Sequence, residues 1–297
     1  MILVTGGTGF IGKRLRHHYG EWKYLSSKDC DLSDYKSVKT LFSDLKPDAI
    51  IHLAGKVGGI KDNAENQAQY YYINTQINTN VIQAAYESGI NRVLSSLSTC
   101  AFPNEVKRYP FIEENIFDGP PAATNFSYGY TKRALHVQTL SYRKQYGLNY
   151  STFCPSNVYG PGDYFDTEKS HFVPALLSKL YLAEDGQQIE LWGTGEPLRQ
   201  QLYVDDLVRI IPMLLEKHNT EIPLIVAPNE NLSIKQMTEI ACDVLKKNIT
   251  ISYNGELDGQ YRKDGSNDKL LELIGNFEFT SFRNGINKTY NWLSENK

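Results

Sequence analysis

Two side chains in the segment SYGYTK have types and a spacing that suit proton transfer. Tyr128 and Lys132 are four positions apart, so on a helix both reach the same point. A neighbouring ammonium lowers the pKa of a phenol, which can then exchange a proton with a substrate oxygen near neutral pH. Ser98 can steady the same oxygen by a hydrogen bond. The competing interpretation is an exposed Tyr/Lys pair on an amphipathic helix, and another tyrosine, Tyr130, lies nearby.

A glycine-rich turn near the N-terminus, in LVTGGTGFIG, is typical of a phosphate site. Its glycines follow a predicted strand and open a predicted helix, where they permit a tight turn and a close approach to a pyrophosphate. The spacing is one residue longer than the common dinucleotide motif, and a tight turn without a ligand is the alternative. Its place in a strand–helix alternation favours a dinucleotide, contacted by Gly6, Gly7, Thr8, Gly9, Phe10, Ile11 and Gly12.

The end of the second predicted strand, YLSSKDCDL, indicates which dinucleotide binds. An NAD enzyme often carries an acidic residue there to hold the ribose 2′-hydroxyl. Ser27 and Lys28 instead offer a hydroxyl and a cation where the 2′-phosphate of NADP would lie. The sequence therefore favours NADP, while Asp29 and Asp31 keep NAD open.

A cysteine in the segment LSTCAFP raises a further question. The chain's four cysteines are widely spaced and form no Cys-x-x-Cys pair, which argues against a disulfide framework or a zinc site and favours a reducing cytoplasm. Cys100 is then either a small apolar filler or a reactive thiol. The residue pattern alone leaves both interpretations open.

The elements that must position these residues follow from the hydrophobic pattern. Short apolar runs alternate with helical patterns through the first half, which predicts an α/β fold with a doubly wound, Rossmann-like parallel sheet. We expect an NADP-binding domain over residues 1–155, to which 203–229 returns, and a smaller C-terminal α/β substrate domain over 156–297. Long helices are predicted over Asn74–Ser88 and Tyr128–Tyr146, and shorter ones over 232–246 and 281–294.

Charge and hydropathy exclude some partners. With 31 basic and 34 acidic residues among 297, the net charge is −3 and no basic stripe indicates nucleic acid or an anionic membrane. The apolar runs are too short to span a bilayer, and the opening MILVTGG lacks the pattern of a signal peptide, so we expect a cytoplasmic protein.

Further motifs run through almost the whole length: HLAGKVGGI, PSNVYGPGDYF, SHFVPAL, WGTGEPLRQ and ELDGQYRK. Together with VTGGTGFIG, LSTCAFP and SYGYTK they resemble the extended short-chain dehydrogenases/reductases and, among them, the GDP-L-fucose synthase family. The resemblance implies an NADPH-dependent enzyme that epimerises GDP-4-keto-6-deoxy-D-mannose at C3 and C5 and then reduces C4. It also implies a homodimer that pairs through the two long helices.

The resemblance assigns roles by matching motifs. Ser98, Tyr128 and Lys132 match the reductase triad, and Cys100 and His171 match the acid/base pair of the epimerisation. A 4-keto group acidifies the protons on C3 and C5, and inversion needs a base on one face and an acid on the other. A thiolate and an imidazolium can both be poised near neutral pH. Taken alone, a histidine such as His171 is more often a helix cap or a hydrogen-bonded structural residue.

The family's remaining site residues also have counterparts. The nucleotide-sugar site maps to Asn157, Lys179, Trp192, Arg199 and Asp258, and the loop 255–266, with Arg262 and Lys263, is expected to close on GDP. The alternatives to substrate binding are that the tryptophan packs in the core and that the charged residues are solvated on the surface. The other cofactor contacts map to Leu53, Ala54, Lys132, Pro155, Asn157, Val158 and His171.

Two departures from the family pattern leave the sugar open. Ser156 replaces a threonine, a mild change, whereas Tyr164 replaces an asparagine and can reshape the sugar pocket. The alternatives are therefore a C4 reductase of another GDP-4-keto-sugar, such as a heptose, with or without epimerisation, and a non-catalytic NADP-binding regulator. A regulator predicts a broken triad, and the triad here is intact.

Overall fold

The structure, a computed structural model, describes residues 1–167, 170–256 and 258–296, without the side chains of residues 60 and 61. Over these residues the strands are β1 (Ile2–Thr5), β2 (Lys23–Tyr24), β3 (Ala49–His52), β4 (Arg92–Ser96), β5 (Asn149–Pro155), β6 (Asn157–Tyr159), β7 (Gln188–Leu191), β8 (Leu198–Tyr203), β9 (Pro223–Val226), β10 (Asn231–Ser233), β11 (Thr250–Tyr253) and β12 (Arg262–Lys263). The helices are α1 (Phe10–His18), α2 (Tyr35–Leu45), α3 (Ile60–Glu65), α4 (Gln67–Glu87), α5 (Phe126–Tyr146), α6 (Phe172–Leu182), α7 (Val204–Lys217), α8 (Ile234–Leu245), α9 (Asp268–Ile274) and α10 (Phe282–Asn296). Short 3-10 turns lie at Thr99–Ala101, Glu113–Phe117 and Ala123–Asn125.

A parallel sheet in the order β2-β1-β3-β4-β5-β9 forms the centre of the molecule. Every residue of β3 and β4 is buried, as expected for strands covered by helices on both faces. The strand order reverses direction at β1, beside the glycine-rich turn, which is the doubly wound arrangement. The predicted α/β, Rossmann-like fold is confirmed.

Helices bury the two faces of this sheet in separate apolar clusters. Helices α2, α4 and α5 cover one face through residues such as Phe42, Ile82 and Leu135. Helices α1, α7 and α9 cover the other through residues such as Leu15 and Leu207. The long connections thus lie on the faces and leave the carboxyl edge of the sheet free for a site.

A third apolar cluster is formed mainly by the C-terminal part of the chain. Helices α6, α8 and α10 pack around residues such as Leu177, Met237 and Ile286, next to the pair β7–β11 and the strands β6, β8, β10 and β12. Strand β9, in the segment 203–229, lies beside β5 in the main sheet. The exact division of the chain into two domains stays a prediction.

The long helix α4 begins at Gln67, seven positions before the predicted start at Asn74. Its first turns carry no regular apolar stripe. Of the tyrosines in α4, Tyr70 is the one that is fully buried, and its ring meets the ring of Tyr128 edge to face. Tertiary packing therefore extends the helix where the periodicity gives no signal. No helix within the described ranges is long and apolar enough to cross a membrane.

Candidate active site

The glycine-rich turn between β1 and α1 packs so closely on neighbouring backbone that it excludes side chains at Gly6 and Gly12. Gly6 has φ +72°, and a Cβ there would lie 2.9 Å from the backbone N of Ala54. A Cβ on Gly12 would lie 2.3 Å from the carbonyl oxygen of Gly6. Gly9 precedes the first turn of α1, so unpaired helical N–H groups face the turn. This cradle fits the pyrophosphate of a dinucleotide.

The turn after β2 carries the residues that were predicted to select the dinucleotide. The Asp29 carboxylate accepts hydrogen bonds from the N–H and hydroxyl of Ser26, at 2.8 and 2.7 Å. These hydrogen bonds both reach the same carboxylate oxygen, and they lower the pKa of Asp29. Ser27 and Lys28 are exposed at the tip of the turn.

The other predicted cofactor residues line the same edge of the sheet. Leu53 and Ala54 follow β3, and the N–H of Ala54 donates to the Thr5 hydroxyl at 3.3 Å. Pro155 ends β5, while Asn157 and Val158 lie half-buried in β6. Thr8 is exposed in the cradle, and Phe10 and Ile11 are half-buried at the start of α1.

The predicted triad comes together where β4 ends and α5 begins. Tyr128 and Lys132 are both buried on α5, with the Lys132 ammonium 5.8 Å from the Tyr128 ring centroid. That ammonium donates to the carbonyl oxygen of Ser96 at 2.8 Å. Ser98 hydrogen bonds to Tyr128 strongly enough to act on its pKa. The structure thus brings all three residues together.

The charge of Tyr128 differs from the expectation. Burial raises its pKa well above the ordinary value, and the negative charge of Cys100 raises it further, against a smaller opposite effect of Ser98. The predicted lowering by Lys132 is wrong, because burial prevails and also lowers the pKa of Lys132 to about 8. Tyr128 therefore remains protonated at neutral pH, as a proton donor must.

Cys100 lies in the 3-10 turn after β4, and its surroundings favour a thiolate. Its N–H donates to the Ser98 hydroxyl at 3.2 Å, and the Lys263 ammonium donates to its Sγ at 3.0 Å. Burial opposes ionisation of the thiol, but Lys263, Ser98 and Arg199 outweigh it, so the pKa of Cys100 lies below the ordinary value. Lys263 was expected at GDP; the structure places it on the thiol.

His171 immediately precedes α6, and its side chain is accessible from the cleft. It makes no capping hydrogen bond, so the structural role of a helix cap does not account for it. Desolvation of the imidazolium by the surrounding protein is the larger cause that lowers the pKa of His171, and the positive charge of Lys263 is the smaller one. The resting imidazole is therefore largely neutral at pH 7. Lys263 thus acts on both members of the predicted acid/base pair.

Three predicted substrate residues, the substrate row, lie on α6, after β7 and on β8: Lys179, Trp192 and Arg199. Arg199 lies on β8 and Trp192 follows β7 with 43% of its surface exposed. The Lys179 ammonium donates to the carbonyl oxygen of Glu190, beside Trp192, at 3.2 Å. Strand β6, with Asn157, pairs with β8 and joins this row to the cofactor edge.

Two charged residues of the loop 255–266 already have partners. Asp258 accepts from the N–H and hydroxyl of Thr194 at 2.9 and 2.6 Å, so it holds the turn after Trp192. Arg262, which was expected to close on GDP, forms a bidentate ion pair with Asp264, at 2.6 and 2.9 Å. Leu257 of this loop lies outside the described residues.

Comparison with known proteins shows which family the chain resembles. A sequence model of the NAD-dependent epimerase/dehydratase family matches residues 2–226. The GDP-L-fucose synthase of Dictyostelium discoideum is 34% identical, over 99% of this chain and 95% of that protein. A probable GDP-L-fucose synthase of Drosophila melanogaster is 35% identical, over 99% and 97%.

A solved structure of similar fold is a GDP-L-fucose synthetase of Naegleria fowleri bound to NADP. It superimposes with a TM-score of 0.90 at 34% identity, covering 99% of this chain and 92% of that one. The expectation of a nicotinamide-dependent enzyme is thereby confirmed. The chain belongs to the NAD-dependent epimerase/dehydratase family and, within it, to the group of the GDP-L-fucose synthases.

Proposed function

We propose that this enzyme converts GDP-4-keto-6-deoxy-D-mannose to GDP-L-fucose with NADPH, by epimerisation at C3 and C5 followed by reduction at C4. The observation that carries the proposal is the cluster of Cys100 and Lys263 directly beside Ser98 and Tyr128. A plain reductase needs only the buried acid. A poised thiol next to that acid is what proton removal from a neighbouring carbon requires. The names of the relatives support the same assignment.

The chain's own residues fit NADPH. The glycine cradle accommodates the pyrophosphate, while Ser27 and Lys28 are exposed for the 2′-phosphate and Asp29 is engaged by Ser26. The NADP-bound relative from Naegleria fowleri supports this choice. When bound, the cofactor supplies the hydride for C4.

For the epimerisation we assign the thiolate of Cys100 as the base. It takes a proton from the carbon next to the ketone, and the electron pair moves to O4 as an enolate. Hydrogen bonds from Tyr128 and Ser98 stabilise that oxyanion. His171, in its protonated form, returns a proton on the opposite face, so each inversion balances without an oxidant. In the reduction, Tyr128 gives its proton to O4 and Lys132 fixes its position.

We assign the row of substrate residues to GDP. Arg199 and Lys179 are cations suited to a diphosphate, and the guanidinium can bind it with two parallel hydrogen bonds. Trp192 is exposed beside them, and Asp258 orients the turn that carries it. Asn157 lies between this row and the cofactor edge. With its four free cysteines, the enzyme is proposed to act in the reducing cytoplasm.

We further propose that the enzyme is a homodimer, paired through α4 and α5. These helices pack on each other and present exposed aromatic and apolar side chains, among them Tyr71, Phe126, Tyr130 and Val137. A face of this kind on a water-exposed helix pair is typical of a protein interface.

The test is turnover of GDP-4-keto-6-deoxy-D-mannose with NADPH in D₂O, with the product examined by NMR. We expect NADPH oxidation and deuterium at C3 and C5 of GDP-L-fucose. Cys100→Ser is expected to abolish the deuterium, whereas Cys242→Ser, a half-buried cysteine in α8, is the matched control that retains it.

Other outcomes separate the alternatives. Reduction without deuterium at these carbons would contradict the epimerase half and leave a C4 reductase. No NADPH oxidation would contradict the substrate, and a GDP-4-keto-heptose is then the next substrate to supply. Tyr164 favours including it, because this side chain is 63% exposed after the Asp163 turn.

A further inference from the structure

Lys263 is held in place by three separate parts of the chain. Its strand, β12, pairs in parallel with β8, so that Lys263 lies beside Arg199. Three residues earlier, the Gln260 side chain donates to the carbonyl oxygens of Pro103 and Asn104, at 3.2 and 2.8 Å. These two carbonyls belong to the loop that follows Cys100, so the lysine and the thiol are anchored to each other's segments.

The residues that directly follow β12 extend this attachment. The N–H of Phe111 donates to the carbonyl oxygen of Asp264 at 2.9 Å, and the N–H of Ser266 donates to the carbonyl oxygen of Phe111 at 2.8 Å. The buried side chain of Gln200 on β8 both accepts from and donates to Gly265, at 2.9 and 3.1 Å. Lys263 therefore sits in a fixed segment rather than on a free loop end.

The ammonium of Lys263 has its hydrogen bond with Cys100 and no carboxylate partner among the described residues. The three acids within five positions are engaged elsewhere, Asp258 by Thr194, Asp264 by Arg262 and Asp268 by Ser266. A lysine in this position can be compensated by an anion at Cys100 Sγ, 3.0 Å away. The charged or titratable groups that face the thiol are Lys263 from β12, Arg199 from β8, Tyr128 and Lys132 from α5, and Cys154 from β5.

We propose that Lys263 is the positioning residue that holds Cys100 as a thiolate, through an ammonium–thiolate pair built into the resting enzyme. The thiol gives its proton to solvent, and the pair carries no net charge in the partly buried turn. The use of this thiolate as the base at C3 and C5 rests on the proposed function; the pair itself does not. Arg199 contributes only at longer range, and Cys154 and Tyr128 bear no charge at neutral pH because burial raises their pKa.

The test measures the thiol without any substrate. The rate of iodoacetamide alkylation at Cys100 is followed against pH by mass spectrometry of the peptide that contains it. We expect a midpoint below the ordinary thiol value of about 8.5 in the native chain. In Lys263→Met the midpoint should rise by about one pH unit or more, so that alkylation at pH 7 slows about tenfold.

Two further variants keep the result interpretable. Lys263→Arg retains the charge and should restore the low midpoint. The matched control is Lys107→Met, at an exposed lysine in the loop after Cys100. It removes the same charge but leaves the hydrogen bond of Lys263 to Cys100 in place, so the midpoint should not change. Equal midpoints in the native chain and in Lys263→Met, with both proteins folded by circular dichroism, would overturn the proposal. If Lys263→Met does not fold, an ordinary midpoint of about 8.5 or more in the native chain overturns it equally.

The proposal and the proposed function fail separately. A low midpoint that depends on Lys263, in an enzyme that places no deuterium on C3 or C5, supports the pair and contradicts the epimerase. Deuterium exchange with an ordinary thiol midpoint contradicts the pair and supports the epimerase.

Discussion

At the scale of single residues, the site separates two neighbouring acids by their surroundings. Cys100 and Tyr128 are both enclosed by protein, and burial favours the neutral form of each. Of the two, the thiol accepts a hydrogen bond from a cation, Lys263, whereas the Lys132 ammonium near the Tyr128 ring donates to the backbone of Ser96. The thiol is thus assigned to removing protons and the phenol to giving one, which is the division that an epimerase/reductase needs.

The pH dependence of the deuterium exchange follows from these directions. The active form needs Cys100 ionised and His171 protonated, so the rate rises as the thiol loses its proton and falls as the imidazole loses its own. Both pKa values are lowered, so both limbs move to lower pH. With ordinary values of about 8.5 and about 6.5 the optimum would lie near 7.5, and we expect it below that.

Exchange rates at GDP-4-keto-6-deoxy-D-mannose concentrations well below KM, from about pH 5 to about pH 9, measure this optimum for the free enzyme. Lys263→Met removes a positive charge that lowers the pKa of both Cys100 and His171, so both limbs and the optimum should move to higher pH. A native optimum well above 7.5 would contradict the assignment of lowered pKa values to the pair.

The sequence predicts most of this site and misses its central contact. Ser98, Cys100, Tyr128 and Lys132 lie on two short motifs, and a strand end and a helix suffice to bring them together. Lys263 lies 163 positions from Cys100, on a two-residue strand that has no periodicity of its own. Its role depends on the pairing of that strand with β8, which the sequence pattern does not encode visibly.

At the scale of elements, two helices on different faces of the sheet attach to one residue of β5. His136 of α5 hydrogen bonds to the Thr152 hydroxyl at 2.9 Å, and His218 after α7 bonds to the Thr152 carbonyl oxygen at 2.9 Å. His52, which ends β3, lies between Thr5 and Asn78 at 2.8 and 3.1 Å. These buried imidazoles hold α4, α5 and α7 onto the sheet in their neutral form.

Their protonation gives the fold a defined weakness in acid. Burial lowers the pKa of His52 to about 3 and those of His136 and His218 to about 4. In the unfolded chain each histidine gains a proton below about pH 6.5, while the folded chain resists it. The stabilisation is therefore complete above pH 6.5 and is lost as the pH falls, by up to about 1.4 kcal/mol per pH unit for each group.

Urea unfolding between about pH 6.5 and about pH 4.5 measures this loss. His136→Gln should reduce the dependence of the unfolding free energy on pH by about 1.4 kcal/mol per unit. His17→Gln changes an exposed imidazole on α1 and should leave the slope unchanged. A flat unfolding free energy for the native chain over this range would be inconsistent with neutral, buried imidazoles.

Strand–helix alternation was enough to predict the sheet, because β1, β3, β4 and β5 are short apolar runs bounded by polar turns. The polar helix α4 shows the limit of that reasoning. Near its start, the Tyr70 ring packs edge to face against the Tyr128 ring, a contact between segments far apart in sequence. Residues of mixed polarity can therefore form regular structure whose bounds only tertiary packing decides.

At the scale of the whole molecule, α4 and α5 pack on each other over one face of the central sheet. Exposed side chains on this pair include Tyr71 at 52%, Phe126 at 46% and Val137 at 47%. They line a groove of about 600 Å³ together with Phe117 and Tyr130. In the same region the Nη2 atom of Arg133 is buried and has no hydrogen-bond partner among the described residues. In the proposed dimer, a second copy covers this apolar groove and removes its exposed side chains from water.

The dimer proposal is tested by placing a charge on that surface. Val137→Glu would bury a carboxylate at the interface of both copies, which costs several kcal/mol unless it is compensated, so we expect a monomer in sedimentation equilibrium at micromolar concentration. The native chain is expected to sediment as two copies. Leu182→Glu adds the same charge at an exposed leucine at the end of α6, away from this surface, and should remain dimeric. A native monomer at this concentration, or an unchanged Val137→Glu dimer, would mean that α4 and α5 do not form the interface.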